Sequence, residues 1–316
     1  MPLDPNVRTI VRIANRLDGE ADRSLPMSVR RAQSARLAHF GRSLLVPKGP
    51  EPAATTEHLV AVAGGSIRVQ IVHPHGAGPH PLHVFLHGGG WCVGTLEERE
   101  PRCREISAGA SCVVASVDYR LAPENQYPTP PEDCYAALCW LVDHASEIGI
   151  DPSRVSIGGE SAGGNLAAAV CLMSRDRNGP PLVFQWLDVP ALDATLSTEG
   201  HRNVPDGNLL DEASIEEYLD LYLPDRPTQV TEPYCSPLLA DDLTGLPPAH
   251  IVTMEFDKLR GDGEAYAKRL ADAGIATTHV RLAGHVHASF ALTRRIPSAA
   301  ANERESIAAL AAAYRR

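Results

Sequence analysis

Apolar and polar positions follow two rhythms along this chain. From residue 81 onward, short apolar runs at 82–86, 113–117, 155–157, 183–187, 251–254 and 278–282 predict strands. Between them, segments of helical period at 98–108, 131–148, 162–175 and 263–273 predict helices. This alternation predicts an α/β fold, a mostly parallel sheet covered by helices on both faces. Upstream, Val7, Ile10, Val11, Ile13, Ala14 and Leu17 recur at helical spacing, and Val29, Ala32, Leu37 and Ala38 follow, so residues 1 to about 45 read as an amphipathic preface. The Pro/Gly stretch 47–52 ends it, and 58–72 alternates like paired strands around Gly64-Gly65. The interval 190–223 holds no strand pattern, is rich in polar and turn residues, and contains a helix over 211–223, so it reads as an insertion over the sheet. An Ala-rich closing helix is expected over 299–313. The resulting division is a helical segment 1–50, a core made of 51–189 and 224–316, and an insertion at 190–223.

Composition narrows the partners. With 316 residues, 44% of them hydrophobic, the chain supports one large core. A formal net charge of -10 repels nucleic acid and anionic membrane surfaces. The seven cysteines are odd in number and scattered, without a CxxC pair, and read as reduced, mostly buried thiols. Residues 1–12 carry Asp4, Arg8 and Arg12 with no apolar run of signal-peptide length, and no segment reaches the ~18–20 apolar residues that span a bilayer. A cytoplasmic protein without stable membrane association is expected. Exposed edge strands leave a homodimer open.

The chemistry centres on Gly158-Gly159-Glu160-Ser161-Ala162-Gly163, where an apolar strand runs through G-x-S-x-G into an alanine-rich helix. On such a strained strand-to-helix turn the serine hydroxyl projects above the sheet edge, and small residues at 159 and 163 let the backbones approach. His87-Gly88-Gly89-Gly90-Trp91 follows the strand at 82–86. Glycines there let backbone N–H groups point at an oxyanion, so Gly89, Gly90 and Ala162 are the expected donors. A serine needs a base, and the base needs an orienting acid, in the chain order Ser, Asp or Glu, His. His287 is favoured as the base over its neighbour His285, which is read as solvent-facing. Asp257 follows the strand at 251–254 and is favoured as the acid over Asp262, read as a helix cap, and over Asp193, which lies too early. Arg120 and Glu124 are expected to form a structural ion pair. Trp91 and Trp186 are candidates for lining a substrate pocket, with core packing as the competing role. No metal or organic cofactor is required by these groups.

These motifs, together with Asp118-Tyr119-Arg120-Leu121-Ala122-Pro123-Glu124 and Asp257-Lys258-Leu259-Arg260, resemble the hormone-sensitive-lipase family of α/β-hydrolases in its bacterial carboxylesterase branch. The resemblance covers nearly the whole chain. It implies an eight-stranded core, a helical cap built from the N-terminal segment and the insertion, and a triad of Ser161, Asp257 and His287 acting on small, short-to-medium-chain hydrophobic esters. Glu160 stands where many members carry Asp, Lys258 replaces a frequent proline, and Ala288-Ser289 follows His287 in place of the usual Gly. An amidase or deacetylase uses the same triad. A hydrolase-like binding protein, as in plant gibberellin receptors, lacks the histidine that is present here.

Overall fold

The apolar runs become strands of one sheet in the computed structural model, which describes residues 2–17 and 25–315. The eight strands are β1 Ala54–Val62, β2 Gly65–His73, β3 His80–Leu86, β4 Val113–Asp118, β5 Ile150–Glu160, β6 Phe184–Asp188, β7 Ala249–Phe256 and β8 Thr277–Val286. Their order is β1-β2-β4-β3-β5-β6-β7-β8. β1 and β2 pair antiparallel, β2 meets β4 antiparallel, and every later pairing is parallel. The mostly parallel sheet expected from the alternation is therefore present.

The helices are α1 Pro5–Leu17, α2 Met27–Leu45, α3 Leu96–Ala110, α4 Thr129–Asp143, α5 Ala145–Ile148, α6 Ala162–Asp176, α7 Glu199–Asn203, α8 Glu212–Tyr222, α9 Arg226–Gln229, α10 Arg260–Asp272 and α11 Pro297–Ala313. Residues 18–24, inside the helical preface read from the sequence, lie outside the described residues. The strand-free interval after β6 runs from 189 to 248, longer than the 190–223 read from polarity alone.

Side-chain alternation along the central strands divides the core between the two faces. Leu82, Val84 and Leu86 of β3 join Val113, Ala115 and Ile157 beneath Leu138 of α4, Leu166 of α6 and Leu270 of α10. Phe85, Val114 and Trp186 point the other way, toward Cys103 and Ile106 of α3 and Ile307 and Leu310 of α11. α1 is anchored separately, its Val7 and Val11 packing with Val286, Leu292 and Ile296.

The turn from β5 into α6 needs close backbone contact. A Cβ on Gly163 would lie 2.1 Å from the Leu86 carbonyl oxygen, so only glycine lets α6 start directly behind β3. Ser161, at the apex, is held at φ 55°, in the left-handed region.

His83, on the α3/α11 face, has its Nδ1 2.8 Å from Ser156 Oγ, and its Nε2 has no hydrogen-bond partner. Full burial, reinforced by the charge of Arg102, lowers its pKa from 6.5 to about 3. Between those values the unfolded chain protonates this imidazole and the folded protein does not, so stability is lost as the pH is lowered through that window. The expected contribution is about 1.4 kcal/mol per pH unit. Urea titrations between pH 7 and pH 4 are expected to show a flatter acid limb for His83→Asn than for the native protein, whatever the absolute offset between them.

Candidate active site

Three segments distant in sequence meet above the C-terminal ends of the central strands. Ser161 is presented by the β5–α6 turn, and its N–H donates to the Asp188 carbonyl at 2.9 Å. His287 opens the short 3-10 turn after β8, with its Nε2 3.0 Å from Ser161 Oγ. Its Nδ1 lies 2.8 Å from Asp257 Oδ2, and the other oxygen of Asp257 accepts the Leu259 N–H at 3.0 Å. Asp257 is buried and His287 partly open, so the carboxylate is shielded while the imidazole reaches the cavity. A carboxylate accepts only, which places the proton on Nδ1 and leaves Nε2 free to take one from the serine. The Phe290 ring meets His287 edge-on at 6.4 Å between centroids and limits its swing.

The glycine loop after β3 faces the same point. Gly88 N–H is directed at Glu160 Oε1 at 3.4 Å, and the Gly89 carbonyl accepts from Cys92 and Val93, both at 3.0 Å. Gly90 has φ 57°, and a Cβ there would lie 2.4 Å from the Tyr218 ring of α8, so both the turn and the packing demand glycine. Gly89, Gly90, Ala162, Ser161 and His287 all border one cavity of about 250 Å³. Trp91 also borders it, stacked on Tyr222 with centroids 4.4 Å apart. The rest of the wall is largely apolar and comes from the segment after β6, including Leu196, Leu210, Ile215, Tyr218 and Leu219.

Four expectations need correction. Trp186 does not line this cavity. It shares the parity of Asp188 on β6, faces α3 and α11, and donates from Nε1 to Asp188 Oδ1 at 2.8 Å. Arg120 and Glu124 do not pair: Arg120 bonds Asp133 at 2.6 Å, and Glu124 bonds Arg31 of α2 at 2.6 Å. His285 is buried, not solvent-facing, because β8 continues to Val286, and its Nε2 lies 3.0 Å from Ser298 Oγ. Asp262 is no simple cap. It is buried and accepts from the N–H groups of Leu192 and Asp193 and from Thr198 Oγ1, which ties the segment after β6 to α10.

Beneath the site lies a charge cluster that no local motif announced. Arg102 of α3 bonds Glu160 at 2.8 Å, both oxygens of Glu303 at 2.8 and 3.0 Å, and Asp188. Arg99, one turn earlier on α3, bonds the other oxygen of Glu160. Burial pushes the Glu160 carboxyl up, but Arg99 and Arg102 outweigh it and hold it below the ordinary carboxylate range. Burial prevails at Glu303 and raises it, which suits a cluster of three carboxylates sharing two guanidinium groups. The only sequence signal was the pair of arginines on a helix packed into the core. Among the described residues, no group of three or more His, Cys, Asp or Glu side chains is placed to hold a metal ion, and no helix is long and apolar enough to cross a membrane.

Comparison with known proteins places this geometry among ester hydrolases. Residues 83–291 match a family model described as the alpha/beta hydrolase fold. The chain is 42% identical over 262 residues to the carboxylic ester hydrolase LipN of Mycobacterium tuberculosis, covering 81% of this chain and 70% of that protein. It is 36% identical to an arylesterase of Saccharolobus solfataricus, with 91% and 92% covered. Among solved structures, the ester hydrolase EH1AB1 from the Lake Arreo metagenome, complexed with a derivative of bipyridine phosphonate, superposes with a TM-score of 0.93 at 34% identity, covering 99% of this chain and 100% of that one.

Replacing Arg102 with methionine keeps much of the side-chain volume but strands buried carboxylates. Breaking a buried ion pair from one side costs about 3–5 kcal/mol. Denaturant unfolding of Arg102→Met at pH 7 is expected to show a loss of that size, and a loss under 1 kcal/mol would contradict the role assigned to the cluster.

Proposed function

The chain belongs to the hormone-sensitive-lipase family of α/β-hydrolases and is a carboxylic ester hydrolase, and on that premise we propose that Ser161, His287 and Asp257 carry its chemistry. The observation behind this reading is the continuous chain of contacts from Ser161 Oγ through His287 Nε2 and Nδ1 to Asp257 Oδ2, at 3.0 and 2.8 Å. His287 takes the Ser161 proton as Oγ attacks the ester carbonyl. The tetrahedral oxyanion is received by the N–H groups of Gly89, Gly90 and Ala162, at the N-terminus of α6, where the helix dipole favours negative charge. His287 then protonates the departing alkoxide, and Asp257 steadies the imidazolium formed in between. Water, deprotonated by the same imidazole, attacks the acyl-enzyme and returns Ser161 to its resting state.

A cavity of about 250 Å³ with a mainly apolar wall supports small, short-to-medium-chain hydrophobic esters as substrates. In this reading the segment 1–50 and the insertion 190–223 act as the cap, and 51–189 with 224–316 as the hydrolase core. Seven cysteines, none in a disulfide, support a cytoplasmic setting. The edge strands β1 and β8 are the surfaces on which a homodimer would form.

Hydrolysis of p-nitrophenyl acetate and butyrate tests the assignment. The native protein is expected to turn over both. Ser161→Ala and His287→Ala are each expected to lower kcat by at least about 10⁴-fold. His285→Ala is expected to retain most activity, and the reverse pattern between the two histidines would reassign the base.

A further inference from the structure

Lys258 follows Asp257 directly, at the end of β7, and is only 3% exposed. Every partner of its ammonium group comes from one stretch of the segment after β6. Nζ donates to the Val204 carbonyl at 3.0 Å and to the His201 carbonyl at 3.5 Å. It also pairs with Asp206 at 3.1 Å and Glu212 at 3.6 Å, whose side chains are 60% and 54% exposed. One buried cation therefore gathers the backbone at the end of α7, the loop beyond it and the first turn of α8.

That stretch matters to the cavity. Leu210, between Asp206 and Glu212, and Ile215 of α8 form part of its wall, and Leu259, the residue after Lys258, borders it from below. The approach is close at the other end too, since a Cβ on Gly200 would lie 2.2 Å from the Lys258 carbonyl oxygen. Asp262 holds the segment at Leu192, Asp193 and Thr198 and lies 3.4 Å from His201, and Lys258 holds the next stretch, from His201 to Glu212. Within the stretch that Lys258 gathers, Arg202, Asn203, Pro205, Asp206 and Gly207 are exposed.

We propose that Lys258 is a positioning residue that latches residues 201–212 over the substrate cavity, and so sets how tightly the ester is held without taking part in bond making. The inference rests on the cavity being the ester site. Because the latch springs from the residue beside Asp257, the cap wall and the orienting acid share one rigid turn, Asp257–Arg260, where Arg260 N–H closes on the Asp257 carbonyl at 3.1 Å. Losing the ammonium group frees the strap to open but leaves the Asp257–His287–Ser161 contacts in place. The cost therefore falls on binding and not on the chemical step.

The test compares Lys258→Met and Lys258→Arg with the native protein, using p-nitrophenyl butyrate kinetics and trypsin cleavage after Arg202, followed by mass spectrometry. For Lys258→Met, KM is expected to rise about fivefold to twentyfold with kcat within about threefold, and cleavage at Arg202 to accelerate about tenfold. Lys258→Arg, which keeps a cation able to reach both carboxylates, is expected to restore both readouts to near-native values. Should Lys258→Met not fold, the double variant Asp206→Asn/Glu212→Gln, altered only at exposed positions, is expected to raise KM and cleavage in the same direction. Native KM and native cleavage in whichever variant folds would overturn the latch. A loss of kcat at constant KM would overturn it too, since it would place Lys258 behind Asp257 instead of behind the strap. If the native protein shows no turnover, the ester reading fails, and the cleavage arm still judges the latch by itself.

Discussion

The guanidinium of Arg102 is the constraint on which the reacting end of this molecule depends. It is buried where α3, the end of β5, the end of β6 and α11 converge, and it bonds a carboxylate from each of the last three. Isolated, such a charge would be costly to bury. Surrounded by Glu160, Asp188 and Glu303, and flanked by the rings of Phe85, Trp186 and Phe290 at 5.2–5.5 Å, it fixes the strand ends relative to one another. Glu160 precedes Ser161 in the chain, and the Asp188 carbonyl accepts the Ser161 N–H, so the cluster governs the turn on which the hydroxyl stands. Phe290 touches both Arg102 and His287, which extends the same reference frame to the imidazole.

The opposite wall of the cavity is governed differently. There the chain between β6 and β7 has no strand to hold it, and it is tied down by contacts to the short turn after β7 and to α10, by Arg30 of α2 on Glu217, and by the Tyr127 N–H on the Tyr222 carbonyl. Asp262 and Lys258, four residues apart, supply a buried anion and a buried cation to the two ends of one stretch. The floor is thus locked by a cluster in which charges face one another inside the core. The roof is held by separate contacts along its length, with exposed residues at 205–207 among those that Lys258 gathers. This division suits a site whose nucleophile must stay put while esters enter and acids leave.

Much of this was legible in the residues. Strands buried on both faces read as continuous apolar runs, so β3, β4, β6 and β7 were found within a few residues of their limits, and G-x-S-x-G between a strand and a helix located Ser161. The polar start of β5 was missed, since Asp151 to Arg154 carry no apolar signal. Trp186 was misplaced because an aromatic at a strand end reads equally well toward either face, and only its shared parity with Asp188 decides. Arg120 and Glu124 were expected to pair, whereas their partners, Asp133 and Arg31, are brought in by tertiary structure. The Arg102 cluster and the Lys258 contacts were out of reach for the same reason: their partners lie 46 to 201 residues away in sequence order, on elements whose juxtaposition only the sheet order creates.

The wide separation of Ser161 from His287 also has a temporal side. During synthesis the serine leaves the ribosome 126 residues before the histidine. At roughly 5–20 residues per second, that is a delay of about 6 to 25 s. Throughout it the elbow strand and its helix can form, but the hydroxyl has no base and remains an ordinary alcohol. With Ser161 and His287 in the roles proposed above, the order of the two groups along the chain acts as a delay line that would tie activity to the docking of the last strand.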